Sequence, residues 1–297
     1  MKRKIIRQAG GAFTMTLPID WVRANKLSEK SEVEVVTEGR TLTVSNGGSV
    51  SNKKTRLDAD SFSSKNLYRY VNALYALGYD EIEIYSKKDI SSSLIKLLNS
   101  LIGYVLVSSE GERYVIKDIG GGCNSDLDEV FKRAFQSVLL FYDSAIRDIF
   151  GKKEETKESL RVRDLEVNKL CLYLQRAINK MSYSNPVRGR VLFSYSVNLE
   201  QLGDEVCRLW RYSIDDKRLA NISSKKMLEL SKSCLESSFD LFYSPNSSRL
   251  EALYELREKL RREIGSFKIP NKLTYQALRV AEGAVDLSHL TLMMNLE

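Results

Sequence analysis

From residue 126 onward, apolar side chains recur at the three-and-four spacing of amphipathic helices, and only a few short polar or proline-bearing stretches interrupt them. The interruptions predict helices over Leu127–Phe150, Glu158–Tyr183, Val187–Tyr212, Ser223–Phe242, Ser248–Ile264 and Leu273–Leu296. Asn185-Pro186 and Ser266–Pro270 break the pattern at matching places, ahead of the third helix of each half. The second half of the chain therefore reads as an internal repeat, two helical trios joined in tandem as an all-α bundle.

Upstream the period changes. Lys65–Leu77 is helical in pattern and ends at Gly78; Glu81–Tyr85 alternates as a strand; Ser91–Ile102 returns to helix; Tyr104–Ser108 and Arg113–Asp118 read as a hairpin across Glu110-Gly111. That order gives a small α/β domain with helices on one face of a short sheet. Asn46–Ser64, rich in Gly, Ser and Asn at its start, reads as a linker, and Gly120–Gly122 as a hinge. Before the linker, Lys4–Arg7 and Phe13–Leu17 read as short strands, Pro18 opens a helical turn anchored by Trp21 and Val22, and Val33–Val36 pairs with Thr41–Val44 in a hairpin. The expected fold class is α+β multidomain, with domains at 1–50, 58–120 and 126–297.

Composition narrows the function classes. With 43% apolar and 29% charged residues the chain is expected to fold, and no apolar run reaches the roughly 18 to 20 residues of a membrane span, so the expected location is the cytoplasm. Four cysteines without a CxxC pair, and one histidine, argue against a disulfide framework, a structural zinc finger and most histidine-based catalysis; no enzyme is expected. The net charge of +7 is concentrated at the start, where residues 1–56 hold 11 Lys or Arg against 5 Asp or Glu. Lys2, Arg3, Lys4, Arg7 and Arg23 are the candidates for phosphate contacts with a polyanion such as DNA; the bland alternative is a dimerisation element with solvated charges.

One candidate chemistry lies in the bundle. In Tyr195–Trp210, Glu200 and Asp204 stand one turn apart on one face with Cys207 beside them, while Leu199, Leu202, Val206 and Leu209 gather opposite. Ala277–Leu290 repeats the spacing with Glu282 and Asp286, His289 replacing the cysteine; each pair brackets a glycine, Gly203 or Gly283. Carboxylates at i and i+4 repel by a few tenths of a kcal/mol, so a hard cation would suit them, with Asp164, Glu166 or Asn168 completing its ligands in the first trio and Glu251 or Glu255 in the second trio. The alternative is a solvated face neutralised by Arg208 and Arg279.

Two resemblances sharpen these expectations. Gln8–Val22, QAGGAFTMTLPIDWV, followed by Leu27 and the hairpin, resembles the AbrB/SpoVT-type swapped-hairpin DNA-binding domain, which implies a homodimer with interleaved strands; Ser31-Glu32 stands where that family usually has Gly-Asp. Val197–Val206 resembles the acidic helix of PhoU-type phosphate-signalling proteins, Ala281–Leu287 its partner, and Asp164–Arg176 that family's second helix. This second likeness implies iron or zinc held by Glu200, Asp204, Glu282 and Asp286, although Asn168 replaces a usual carboxylate and the last motif lacks the Arg-Ile-Gly-Asp core. Together they resemble archaeal phosphate uptake regulators. The expected function is a phosphate-responsive, DNA-binding regulator; the alternative is an accessory protein that dimerises through its head and modulates a phosphate ABC transporter at the membrane.

Overall fold

The computed structural model describes residues 2–8, 10–38, 41–46, 53–120, 126–151, 156–181, 186–267 and 270–295. The chain divides into two compact units, Met1–Ser51 and Asn52–Glu297.

In the first unit, β1 (Ile5–Arg7) pairs antiparallel with β2 (Phe13–Met15), setting Ile5 opposite Met15 and Arg7 opposite Phe13. Gly10 and Gly11 turn the chain between them, both at positive φ. After Pro18 comes α1 (Ile19–Ala24), and β3 (Glu34–Glu38) pairs with β4 (Thr41–Ser45) as a second antiparallel ribbon. The tip expected at Glu38-Gly39 lies, beyond Glu38, outside the described residues. No residue of this unit whose burial is described is buried, and Ile5, Ile6, Phe13, Val35 and Leu42 are all more than half exposed.

The second unit begins with a correction to the expected linker. Residues 54–58 form β5 (Lys54–Asp58), the edge strand of a four-stranded sheet ordered β5-β6-β8-β7. Their alternation of Thr55 and Leu57 with Lys54, Arg56 and Asp58 is a genuine period of two that the polar composition disguised. β6 (Glu81–Tyr85) lies parallel to β5 through α2 (Ser64–Ala76), while α3 (Ser91–Leu98), β7 (Tyr104–Glu110) and β8 (Arg113–Asp118) complete the layer. β8 is antiparallel to both β6 and β7.

Ser63 caps α2 by accepting the Asn66 amide at 3.2 Å. At the other end Gly78 (φ +82°) donates to the Tyr75 carbonyl and Tyr79 to that of Leu74, the paired bonds of a Schellman stop. Val71, Tyr75, Ile82, Ile84, Leu94 and Ile116 fill the core between sheet and helices.

Six helices follow: α4 (Leu127–Phe150), α5 (Lys157–Lys180), α6 (Pro186–Asp215), α7 (Ile222–Tyr243), α8 (Ser247–Gly265) and α9 (Lys272–Asn295). Thr156 with Ser159 and Asn221 with Ser224 form capping boxes at the starts of α5 and α7. α4, α5 and α6 pack on one another, as do α7, α8 and α9; α6 against α9 and α4 against α7 join the two trios. One continuous core runs through all of them, with Phe131, Phe135, Tyr195 and Phe242 in aromatic contact across α4, α6 and α7. Among the described residues no helix is long and apolar enough to cross a membrane. The expected hinge lies, beyond Gly120, outside the described residues, as does Cys123.

Candidate functional site

The basic candidates occupy the first unit. Lys2, Arg3, Lys4 and Arg7 lie on and just before β1, and Arg23 in the last turn of α1. All five are exposed, and among the described residues none forms an ion pair. They are cations without an ion-pair partner among the described residues, on a unit where Ile5, Ile6, Phe13, Val35 and Leu42 also face outward.

The first acidic face is partly dry. Leu199, Leu202, Val206 and Leu209 are at most 2% exposed and form the apolar back of α6, as their spacing requires. On the front, Glu200 accepts a hydrogen bond from Gln175 Nε2 at 3.3 Å. Burial pushes the Glu200 carboxyl above the ordinary range, and the neighbouring Asp204 and Asp164 carboxylates add to the effect. Asp164, one helix away on α5, is pushed up to about 6, first by burial and then by Asp204. Asp164 Oδ1 and Asn168 Oδ1 are buried without a hydrogen-bond partner. Asp204 itself is half exposed and receives Arg208 Nη2 at 3.3 Å. Cys207 is buried, and that burial raises its thiol pKa; Cys171, Cys207 and Cys234 are all free.

On the second acidic face Glu282 is already neutralised. Arg261 Nε reaches Glu282 Oε1 at 2.7 Å and Arg257 Nη1 lies 3.7 Å from Oε2. Asp286 is exposed, and His289 is also exposed, sharing a 2.9 Å hydrogen bond with Tyr254. The cation expected here from α9, Arg279, instead pairs with Glu205 of α6 at 3.0 Å. The i,i+3 spacing pointed along α9, whereas the guanidinium crosses to the neighbouring helix.

The two glycines within the motifs have a packing reason. A Cβ at Gly203 would stand 2.9 Å from Val167 Cγ1 of α5, and one at Gly283 would stand 2.7 Å from Leu202 Cδ2 of α6. Each lets its helix press against a neighbour. No group of three or more His, Cys, Asp or Glu side chains converges as a metal cage among the described residues.

A family model described as antidote-toxin recognition MazE, bacterial antitoxin, matches residues 6–51. The match covers the first unit and stops where that unit ends. No curated protein matches the chain, and no solved structure does. The first unit thus matches a MazE/AbrB-type domain, which is consistent with DNA-binding regulation.

Sequence reasoning missed two charged groups that organise the second unit. Glu205, next to Asp204, is 7% exposed and joins Arg208 at 2.6 Å, Arg279 at 3.0 Å and the Gln276 side chain. Burial opposes its charge, but the hydrogen bonds from Gln276, Arg279 and Arg208 outweigh that and leave its pKa below the ordinary range. Arg176 of α5 is 1% exposed. It donates to Asp118 Oδ2 at 2.6 Å, Asp80 Oδ1 at 2.9 Å and the Tyr79 carbonyl at 2.6 Å, with Lys180 also on Asp80. Its one visible signal was a cation in line with Leu172, on the face of α5 that docks on the α/β layer.

Proposed function

We propose that the protein is a non-enzymatic, homodimeric regulator that binds duplex DNA through its first unit and takes its signal through the helices of the second. The observation that carries the DNA reading is the coincidence of the MazE-type match over residues 6–51 with five exposed cations that have no ion-pair partner among the described residues. Dimerisation follows from burial. A unit of this size that exposes Ile5, Phe13 and Val35, and has no buried side chain among those whose burial is described, gains a core from a second copy of the same apolar surface.

The finer reading is that the helices answer to phosphate status. It rests on the likeness of 164–176, 197–206 and 281–287 to the PhoU-type helices. Within it, iron or zinc would sit at the first acidic face in preference to the second. There Glu200, Asp204, Asp164 and Asn168 offer oxygen donors, two of them unpartnered, whereas arginines occupy the second. Metal content that is equal in the wild type and in a Glu200→Gln, Asp204→Asn variant would remove that part.

The test of the whole is a titration of the intact chain with duplex DNA across salt concentrations. Affinity is expected to fall steeply with salt, with a logarithmic slope of about −0.9 for each phosphate that the protein neutralises. Arg3→Ala with Arg7→Ala is expected to weaken binding and flatten the slope. Absence of binding, or salt-insensitive binding, would instead favour the accessory protein at a phosphate transporter, a reading to which the solvent-facing Ile222 (90% exposed) of the bundle is suited.

A further inference from the structure

One face of α5 serves two purposes. Residues 158, 161, 162, 165, 169, 172, 176 and 180 follow one another at helical spacing along a single stripe. In the C-terminal half of the stripe, Leu172 enters the core of the α/β layer, and Arg176 and Lys180 pair with Asp80 and Asp118. In the N-terminal half the same face stands away from α2 and α3, opening a cleft of about 840 Å³. That volume lies within the roughly 300 to 1,000 Å³ of small-molecule sites.

The walls of the cleft define the chemistry it would take. Val162 and Leu165 lie on the docking face of α5, yet are 59% and 39% exposed. They share the cleft with Tyr68, which packs partly against the α/β core, and together the three give it an apolar and aromatic wall. Lys65, Lys96, Arg161 and Lys169 line it from α2, α3 and α5, against two carboxylates, Glu158 and Glu166, and none of these six forms an ion pair among the described residues. Hydroxyl and amide groups are supplied by Ser64, Ser93, Asn99 and Ser100. Four cations against two carboxylates, an apolar wall and neutral polar groups together suit an anionic phosphate, a planar ring and sugar hydroxyls.

We propose that this cleft binds a nucleotide, held between the α/β layer and the bundle. All of its lining residues belong to the second unit, so the proposal does not rest on the DNA-binding reading of the first.

Calorimetric titration of the full chain with AMP, ATP, adenosine and inorganic phosphate tests this. Expected is saturable binding of AMP or ATP at one site per chain, with adenosine and inorganic phosphate each at least tenfold weaker. Lys96→Glu with Arg161→Glu is expected to weaken nucleotide binding at least tenfold, while Lys225→Glu, on α7 away from the cleft, leaves it unchanged. Val162→Asp, at a solvent-facing position, gives the same loss without touching a cation, so a fold defect in the double variant would not shield the proposal. The proposal is overturned if neither nucleotide binds at millimolar concentration, if the cleft variants bind as the wild type does, or if inorganic phosphate alone binds as tightly as the nucleotide.

Discussion

Glu200 and Asp204 on α6 share their spacing, their intervening glycine and their place in a third helix with Glu282 and Asp286 on α9, yet the two glutamates live in opposite electrostatic surroundings. Across from Glu200 lie Asp164 and Gln175, neither of them a cation; across from Glu282 lie Arg257 and Arg261. Glu200 is desolvated and raised in pKa, whereas Glu282 is ion-paired. The repeat fixes which face carries the acids, and the neighbouring helix decides what that face can do. Two i,i+4 carboxylate pairs are therefore one sequence motif and two different chemical sites.

The glycines give the largest expected effect on this comparison. Gly203→Ala drives a methyl into Val167, a stiff β-branched neighbour, and is expected to cost about 1 to 2 kcal/mol after the gain in helix propensity is counted. Gly283→Ala meets only the end of Leu202, which can rotate, so its cost is expected to be smaller. Denaturant unfolding of both variants measures the difference, and a larger loss at Gly283 would break the account of how tightly α6 sits on α5.

Protonation comes next. The Asp164 carboxyl rises from an ordinary 3.8 to about 6 on folding, so the folded state binds its proton more tightly than the unfolded state. This contribution is fully present below 3.8 and is lost as pH rises through about 6, so stability falls across that window. Asp164→Asn is expected to flatten the fall and to stabilise the protein at pH 8 by on the order of 1 kcal/mol, the full linkage value being reduced because the group is partly solvated. Thermal melts between pH 4 and 8 that leave the two proteins parallel would contradict it.

The smallest effects carry the sharpest contrast, because they differ in sign. Glu282→Gln removes partners from Arg257 and Arg261 and is expected to destabilise by about 0.5 to 1 kcal/mol, less at high salt. Glu200→Gln relieves repulsion from Asp204 and Asp164 and is expected to be neutral or to stabilise by a few tenths of a kcal/mol. Equal losses at both positions would show that the two faces are alike after all.

The helices were legible because each has an apolar stripe long enough to count, and α4 spans the predicted Leu127–Phe150. β5 was not, since five residues with only Thr55 and Leu57 turned inward offer too short a pattern beside a polar, glycine-rich run. In the candidate site the acidic faces could be read from spacing within one helix. The partners could not: Arg279 reaches Glu205 and Arg261 reaches Glu282 across helix–helix contacts that no local period encodes. Arg176 was hidden for a different reason, because a buried arginine depends on two aspartates 58 and 96 residues away.

Arg176 also sets how the second unit comes apart. Asp80 and Asp118 both receive their cations from α5, so peeling the bundle from the sheet would leave two carboxylates facing each other with no counter-charge. Stranding one member of a buried ion pair costs about 3 to 5 kcal/mol. Sheet and bundle are thereby coupled into one cooperative melting unit, and calorimetry of residues 52–297 should show a single heat-absorption peak whose van't Hoff and calorimetric enthalpies agree.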